Sequence, residues 1–502
     1  MWPFTRKTKS ATPYFATRAF AAAEMSRTLA PWIFDGGFDN TSVLGSLATV
    51  RSRARDMAKN SEYMARWIQL FVANIVGPDG FRFKSFAEKS ADDVSVDEAA
   101  AFFIETHFNR WAKNRRLTDV AGQLDLAGIL RLAVENYARD GEAFILINRH
   151  AQNAYGLALQ VVRPDVCDEQ LNRRIDENTV IRGGVEVDCA TFTPRAYYFS
   201  ADRTDPMAHY FAGSTRPHVR VPAADVLHLY SPHDAFQVRG FPLSHAFLKK
   251  LKMLDEFDQA ELIAAREDAN VLGIFKAPLG REQEIKNLAQ DGSLRDRLEQ
   301  KSEAGSKLVL AQGWDYEPKH SSHPNAGLPA FKASMLKDIA SGGGVEYANF
   351  ANDWGGVSFS SVRAGTLAER DQWLTHQAVV INCVLEPLFE AWLSSFLSLR
   401  SSGRYMPQDF ARLVSHQFRG RRWDWVDPLK DVNASVVAVA HGWKTDAEIA
   451  ADYGGDIDDN IAEAQRVKAA KESAGLLTTD KASPSGDTFD RAPTNEEEDN
   501  ND

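Results

Sequence analysis

The sequence predicts an α+β chain that is mainly helical. Three observations carry this. Apolar residues recur at helical spacing over two long stretches, 243–270 and 363–397. Short strand-like apolar runs gather between residues 142 and 230. The 502 residues are 44% hydrophobic and 25% charged, which is ordinary globular usage and excludes global disorder, collagen-like repeats and a disulfide scaffold. A chain of this length is expected to fold as roughly two to four units.

The elements follow in order. Residues 1–40 have little periodicity and read as an arm, partly disordered. A helix starts at Ser52, with Met57, Ser61, Met64, Ile68, Phe71 and Ile75 on one face, and stops at Gly77-Pro78. A second runs from about Val94 to Lys113, with Ala100, Phe103 and Trp111 inward. A third is capped by Asp125 and ends at Asp140-Gly141. Glu142–Asn148, Leu157–Val162, Gly184–Asp188, Arg195–Ser200 and Val226–Tyr230 then read as strands of an antiparallel sheet.

From Leu243 a helix reaches about Asn270, with Leu243, Phe247, Leu251, Leu254 and Phe257 as its stripe. Its second half, AELIAAREDAN, has a thin apolar face, which suits packing on like neighbours or lining a wet space. Residues 271–326 are irregular, and a short helix spans Pro329 to Ile339. A Gly-rich loop from Ser341 to Ser361 follows, with Gly342, Gly343, Gly344, Gly355 and Gly356 giving its ends wide backbone freedom. A second long helix runs from Arg363 to about Leu397, with Leu367, Leu374, Ala378, Ile381, Leu385, Leu388 and Trp392 on one face and a kink expected at Pro387. A compact aromatic turn at 423–428 leads to a helical module from Thr445 to about Gly475. The Pro/Ser-rich acidic tail after it has the composition of disorder.

The net charge of -11 counts against tight sequence-reading DNA binding, but not against DNA passing through without sticking. The 3 Cys, Cys167, Cys189 and Cys383, fit no zinc spacing and read as buried thiols in a reducing compartment. No run is expected to reach the length of a membrane-spanning helix, because charges or Pro break the apolar stretches. The basic start, MWPFTRKTKS, lacks a following apolar region, so no signal peptide is expected.

The search for an active site is negative. The chain has no Gly-Lys dipeptide, hence no Walker A cradle for a nucleotide, and no HExxH or GxSxG. His320 and His323 have no third ligand nearby and read as a solvated turn. Asp456-Ile457-Asp458-Asp459 reads as a helix cap, since Ile461 occupies the position where a calcium loop needs Gly. His228 alternates with apolar residues and reads as a structural histidine. The reading is therefore no enzyme, no cofactor and no metal.

Several motifs in order carry a resemblance. They are RSRARDMAKNSEYMARWIQLFVANIVGPDGFRFK at 51–84, VPAADVLH and QVRGFP within 219–243, the helix at 251–275, and SSVRA within 353–370. The DPLK turn at 427–430 and the module at 440–475 add to them. Together they resemble bacteriophage portal proteins of the lambda family, over roughly residues 40–475. The resemblance implies a homo-oligomeric ring, usually of twelve subunits, at one vertex of the virion capsid. Through it double-stranded DNA is packaged and ejected, without sequence specificity. It also implies three kinds of partner: the large terminase, which is a separate ATPase, a head-completion or connector protein, and the major capsid or scaffold protein. No membrane is involved. Assembly would take place in the host cytoplasm.

By the same resemblance the regions become an arm (1–40), a wing (41–245), a stem helix (246–272), a clip (273–326), a second stem helix (327–341), a channel loop (342–362), a wing helix and return segment (363–434), a crown (435–478) and an acidic tail (479–502). Candidates for the DNA channel are Glu261, Glu267 and Asp268 on the stem and Asn349, Asn352 and Trp354 on the loop. The loop is expected to be a mobile constriction that helps retain packaged DNA. Lys319 and His320 in the clip are candidates for partner docking. A DNA-packaging enzyme (terminase or nuclease) and a capsid shell or scaffold protein are the alternatives. The first needs a nucleotide site or clustered metal carboxylates, and the sequence offers neither.

Overall fold

The computed structural model describes residues 40–90, 93, 95–200, 218–270, 273–276, 280, 315–318, 327–355, 358–399, 405–423, 428–453 and 455–473. The arm before residue 40, the tail after 473, and Lys319, His320 and His323 lie outside the described residues. The chain divides into two units, Met1–Gly420 and Arg421–Asp502.

The first unit opens with α1 (Asn40–Asn60) and α2 (Glu62–Ile75). The sequence reads this stretch as one helix from Ser52. The structure breaks it at Ser61, which is buried and extended (φ -108, ψ 124). Ser61 keeps the face's spacing, so periodicity alone does not show the break. Its hydroxyl reaches Asp255 Oδ1 at 3.4 Å. Gly77 (φ 68) then ends α2 and leads to strand β1 (Arg82–Ser85). Helix α3 (Glu98–Ala112) starts later than expected, at Asp97, whose carboxylate accepts the Ala100 N–H. Helix α4 (Leu126–Asp140) has the predicted ends: Asp125 accepts the Gly128 N–H, and Gly141 takes the left-handed cap at φ 88.

The strand region forms two antiparallel sheets where the sequence suggests one. Strands β2 (Glu142–Asn148) and β3 (Ala158–Val162) pair with each other. Next come β4 (Arg173–Arg174), β5 (Thr179–Arg182), β6 (Val185–Asp188), β7 (Pro194–Ser200), β8 (His218–Pro222) and β9 (Val226–Tyr230). The order is β3-β2-β9 in one sheet and β4-β5-β6-β7-β8 in the other. Phe144, Val162, Val185, Tyr197, Phe199 and Val226 form one apolar cluster that joins them.

Below this cluster sits a fully buried carboxylate. Glu142 is the first residue of β2 and accepts from Arg239 Nε (3.0 Å), Arg51 Nη2 (3.0 Å), His228 Nε2 (3.0 Å) and the Gly240 amide (2.7 Å). Burial alone would raise its pKa. Arg239, the His228 hydrogen bond and Arg51 reverse that and hold it well below the usual carboxylate range. Arg239 also donates to the carbonyls of Gly183, Cys167 and Pro164, and so ties the loops of the second sheet to the first. Gly141 and Gly240 meet backbone to backbone: a Cβ on Gly240 would lie 2.2 Å from the Gly141 oxygen. The QVRGFP motif is thus a structural knot. His228 is the structural histidine that the alternation predicts, its Nδ1 facing the Tyr197 hydroxyl at 3.4 Å. Of the thiols only Cys167 is buried, with its pKa pushed up to about 11 by burial; Cys189 and Cys383 are half-buried.

Helix α5 (Leu248–Asn270) leaves this knot through a short turn and buries Leu251 and Leu254. Strands β10 (Gly273–Lys276) and β11 (Asp315–Pro318) pair antiparallel. Helix α6 (Leu328–Gly343) returns against α5, held by Lys332–Asp258 (2.7 Å), Lys250–Asp338 (2.8 Å) and the Phe257–Phe331 rings (5.2 Å). Helix α7 (Tyr347–Ala351) is short and has no counterpart in the sequence reading. Helix α8 (Phe359–Val380) continues through a π-turn (Ile381–Leu385) into α9 (Glu386–Leu399).

The π-turn explains two departures. Pro387 has no N–H to give, and the wider turn carries the helix past it. Hence Ser360–Leu399 is one helix long and apolar enough to cross a membrane, contrary to the sequence reading; half of its most apolar stretch is buried inside the protein. The turn also shifts the buried stripe. Trp373, Gln377 and Val380 face inward before it, and Leu388 and Trp392 after it, while Leu367 is exposed. In α8 the predicted stripe is therefore one residue off. Strand β12 (His416–Arg419) pairs with β1, and Phe83, Phe108, Phe389, Trp392 and Phe418 close an aromatic core there.

The second unit holds α10 (Pro428–Ala440), α11 (Asp446–Asp452) and α12 (Ile457–Ser473). Thr445 and Glu448 form a reciprocal capping box at α11. Asp456 accepts the Asp458 N–H at 3.0 Å, as a helix cap does.

Two stability predictions follow from the buried titratable groups. Glu142→Gln leaves Arg239 buried without its counter-charge and Arg51 with Glu169 alone, and should cost about 3–5 kcal/mol in urea unfolding. His376, held at Tyr137 Oη (3.1 Å), is lowered by burial from 6.5 to about 4. A lowered pKa means the unfolded chain binds the proton first. Stability from a neutral His376 is therefore complete above pH 6.5 and is lost as pH falls toward 4. His376→Gln should remove about 2 kcal/mol of the decline between pH 6.5 and 5, measured by urea unfolding across that range.

Candidate functional site

The segment expected to be a free Gly-rich loop is largely structured. Gly342 and Gly343 are the last residues of α6, and Gly344 is its left-handed cap (φ 66). Gly343 serves close approach: the Trp67 Nε1–H donates to its carbonyl at 2.9 Å, and a Cβ there would lie 2.9 Å from that nitrogen. At the far end Ser358 caps α8 by accepting the Ser361 N–H. Gly355 is described, and Gly356 lies outside the described residues.

Helix α7 sits between these ends on α2 and α8. Its N-cap is Glu346, whose Oε2 accepts the N–H groups of Ala348 and Asn349. The Glu346 amide donates to Glu369 Oε1 at 3.3 Å. Asn349 donates its side-chain amide to Glu369 Oε2, and its carbonyl accepts from Arg66 Nε (3.2 Å) and Nη2 (3.1 Å). Phe350 is buried against Tyr63, with ring centroids 5.7 Å apart. Burial, with Glu346 nearby, pushes the Glu369 carboxyl up despite its two donors.

Beyond α7 the chain turns at Asn352, a non-glycine residue at φ 53. The Tyr347 hydroxyl donates to Asp353 Oδ2 at 2.7 Å, and the Gly355 N–H donates to Asp353 Oδ1 at 3.0 Å. These donors lower the Asp353 pKa, while burial and the Asp353 partner push Tyr347 up to about 12. Lys337 Nζ lies 5.3 Å from the Tyr347 ring centroid. Trp354 stands out from this turn, 51% exposed.

The structure thus brings Asn349, Asn352 and Trp354 into one short segment, in three different roles. Asn349 is half-buried and spends its amide on Glu369, Asn352 makes the turn, and Trp354 is the exposed aromatic tip. Glu261 and Asp268 are seven positions apart and share a face of α5; both are half-buried and have partners. Glu267 is exposed and about 100° around the helix from Asp268. Sequence reasoning missed Arg66, Glu346 and Glu369. A signal for Glu369 exists: it lies four residues before Trp373 and eight before Gln377, so it is a carboxylate on the buried stripe. Among the described residues no three His, Cys, Asp or Glu converge to hold a metal ion. The site has the makings of a steric contact surface: a bulky side chain carried on a braced base.

Comparison with known proteins adds to this geometry. The family described as "Phage portal protein, lambda family" matches residues 26–377. A "Probable portal protein" of Halomonas phage phiHAP-1 is 30% identical over 445 residues, covering 88% of this chain and 85% of its own length. "Portal protein B" of Escherichia phage lambda is 22% identical, covering 91% and 90%. A solved structure titled "Neck of empty GTA particle computed with C6 symmetry" overlays with a TM-score of 0.42 at 12% identity, covering 80% of this chain and 93% of that one. A second, "Virion of native gene transfer agent (GTA) particle", gives 0.42 at 14% identity, covering 84% and 94%. The family match spans well over half of the sequence, and the Halomonas phage relative supports it along nearly the whole chain. The chain belongs to the lambda family of phage portal proteins.

Proposed function

We propose that copies of this chain close into a ring, of twelve subunits, at one vertex of a phage capsid. Double-stranded DNA enters through the ring during packaging and leaves through it at ejection. Family membership supports this reading, and one structural observation carries it. The α5–α6 hairpin presents Leu262 (72% exposed), Ile263 (58%), Met253 and Phe331 to solvent in the single chain. An apolar surface of this kind on a projecting helix pair calls for a like neighbour, and repeated like contacts close a ring.

In this assignment residues 41–245 and 363–434 are the wing, α5 and α6 the stem, 273–326 the clip and 435–478 the crown. Glu261 and Asp268, on one face of α5, face the lumen, and Glu267, about 100° around the helix, borders the contact with the neighbouring subunit. Acidic side chains there would repel phosphates and keep the duplex moving, whereas each Lys or Arg contact would release counterions and hold it. Trp354 reaches into the channel. A duplex shows no free base faces to stack on, so its contact with DNA is steric and independent of sequence. The clip, with Lys319 and His320, docks the terminase during packaging and a head-completion protein afterwards. The role is structural, and the ATPase is the terminase.

Mass photometry of the full-length protein should show closed rings. Leu262→Asp with Ile263→Asp removes about 1.5–3 kcal/mol of burial per side chain at each contact and should leave monomers. A parent protein that is monomeric at micromolar concentration contradicts the reading. Trp354→Ala should leave ring formation and the start of packaging intact, with filled heads that lose DNA. Full retention by that variant removes Trp354 from the channel role.

A further inference from the structure

The contacts around α7 carry more than a location for Trp354. Glu369 projects from α8 with both carboxylate oxygens committed, one to the Glu346 N–H and one to the Asn349 side-chain amide. Arg66 of α2 grips the same Asn349 through its carbonyl. Glu346, so placed, caps α7. Tyr347, in the first turn of α7, holds Asp353, the residue before Trp354. Helices α8 and α2 are locked to each other nearby. The Phe71 and Trp373 rings meet edge to face at 4.9 Å, and Gln377 Nε2 donates to the Asn74 carbonyl at 3.0 Å. Glu369, Trp373 and Gln377 follow one another at four-residue spacing, so a single stripe of α8 both docks on α2 and holds α7.

We propose that Glu369 is a positioning residue for the channel tip: it clasps α7 through Asn349 and Glu346 and thereby sets where Trp354 stands. This rests on the reading of Trp354 as a channel contact and refines it. The base of the tip, residues 346–351, is a fixed pedestal and not part of a freely moving loop. Helix α7 is tied at one residue to two helices that are locked to each other, and this holds the pedestal in place. The carboxylate is specific to the task. It offers two acceptors to two donors, and leucine, of nearly the same size, would fill the space and offer none.

Hydrogen exchange read by mass spectrometry on full-length protein tests this, with α4 as an internal reference. Glu369→Leu should speed exchange of the amides in 346–355 by about tenfold or more, from the loss of two buried hydrogen bonds, with α4 unchanged. Glu369→Gln keeps one acceptor and should restore most of the protection. Asn349→Ala removes one of the two bonds to Glu369 and leaves the Glu346 N–H bond and the Arg66 contact to the carbonyl. It should speed exchange by less than Glu369→Leu, and the double variant should be no worse than Glu369→Leu alone. If Glu369 only packs, leucine is neutral in exchange; that result, or parental exchange in Asn349→Ala, overturns the proposal. DNA retention by heads carrying Glu369→Leu separates the two readings. Faster exchange with full retention keeps the clasp and removes the channel role of the tip.

Discussion

The first unit is organised around one carboxylate that cannot reach water. Glu142 opens β2, and its oxygens receive Arg51 from α1, His228 from β9, and Arg239 and the Gly240 amide from the turn that leads into α5. A buried charge of this kind is tolerated only when fully paired, so every one of these elements has to arrive together. Arg239 extends the demand to the carbonyls of Pro164, Cys167 and Gly183, which fixes the second sheet against the first. A neighbouring trio, Arg55 with Asp140 and Asp165, repeats the arrangement closer to the surface. The departure point of α5 is therefore set by the same network that holds the two sheets.

A second constraint acts where α6 returns. Helices α2 and α8 lie together through Phe71, Trp373, Asn74 and Gln377, and α7 is seated on both. The proposed channel contact lies at the edge of that packed surface. Trp354 is exposed on a turn whose base is held: Phe350 is buried, Tyr347 is engaged by Asp353 and Asn349 by Glu369. The rigid base and the projecting side chain follow from the same contacts, as a steric element requires.

Much of this was legible in the residues, and the limits have physical causes. The ends of α4 could be read because Asp125 and Gly141 are local signals, and β2, β3, β7 and β9 because their apolar runs are short and bounded. The break at Ser61 was hidden because a helix resumes on the same face. The stripe of α8 was misplaced because a π-turn inserts an extra residue without any break in composition. Gly342 and Gly343 look like loop residues in sequence, but there the absence of a side chain makes room for Trp67 and Phe247. Glu142 and Arg239 stand 97 residues apart, and no local pattern announces that they meet. The order of motifs was more informative than any one of them. QVRGFP and SSVRAGTLAER, which carried the resemblance, contain Arg239, Gly240 and Glu369, the residues that hold the knot and the pedestal together.

The central claim is that this chain assembles around a channel into which Trp354 projects from a braced base. A cryo-EM reconstruction of the purified full-length protein tests it most directly. The account predicts a closed ring with α5 and α6 packed on neighbouring subunits, the Trp354 side chain at the narrow part of the lumen, and Asn349 between Arg66 and Glu369. A ring in which residues 347–354 face away from the lumen, or particles that never close, would contradict it.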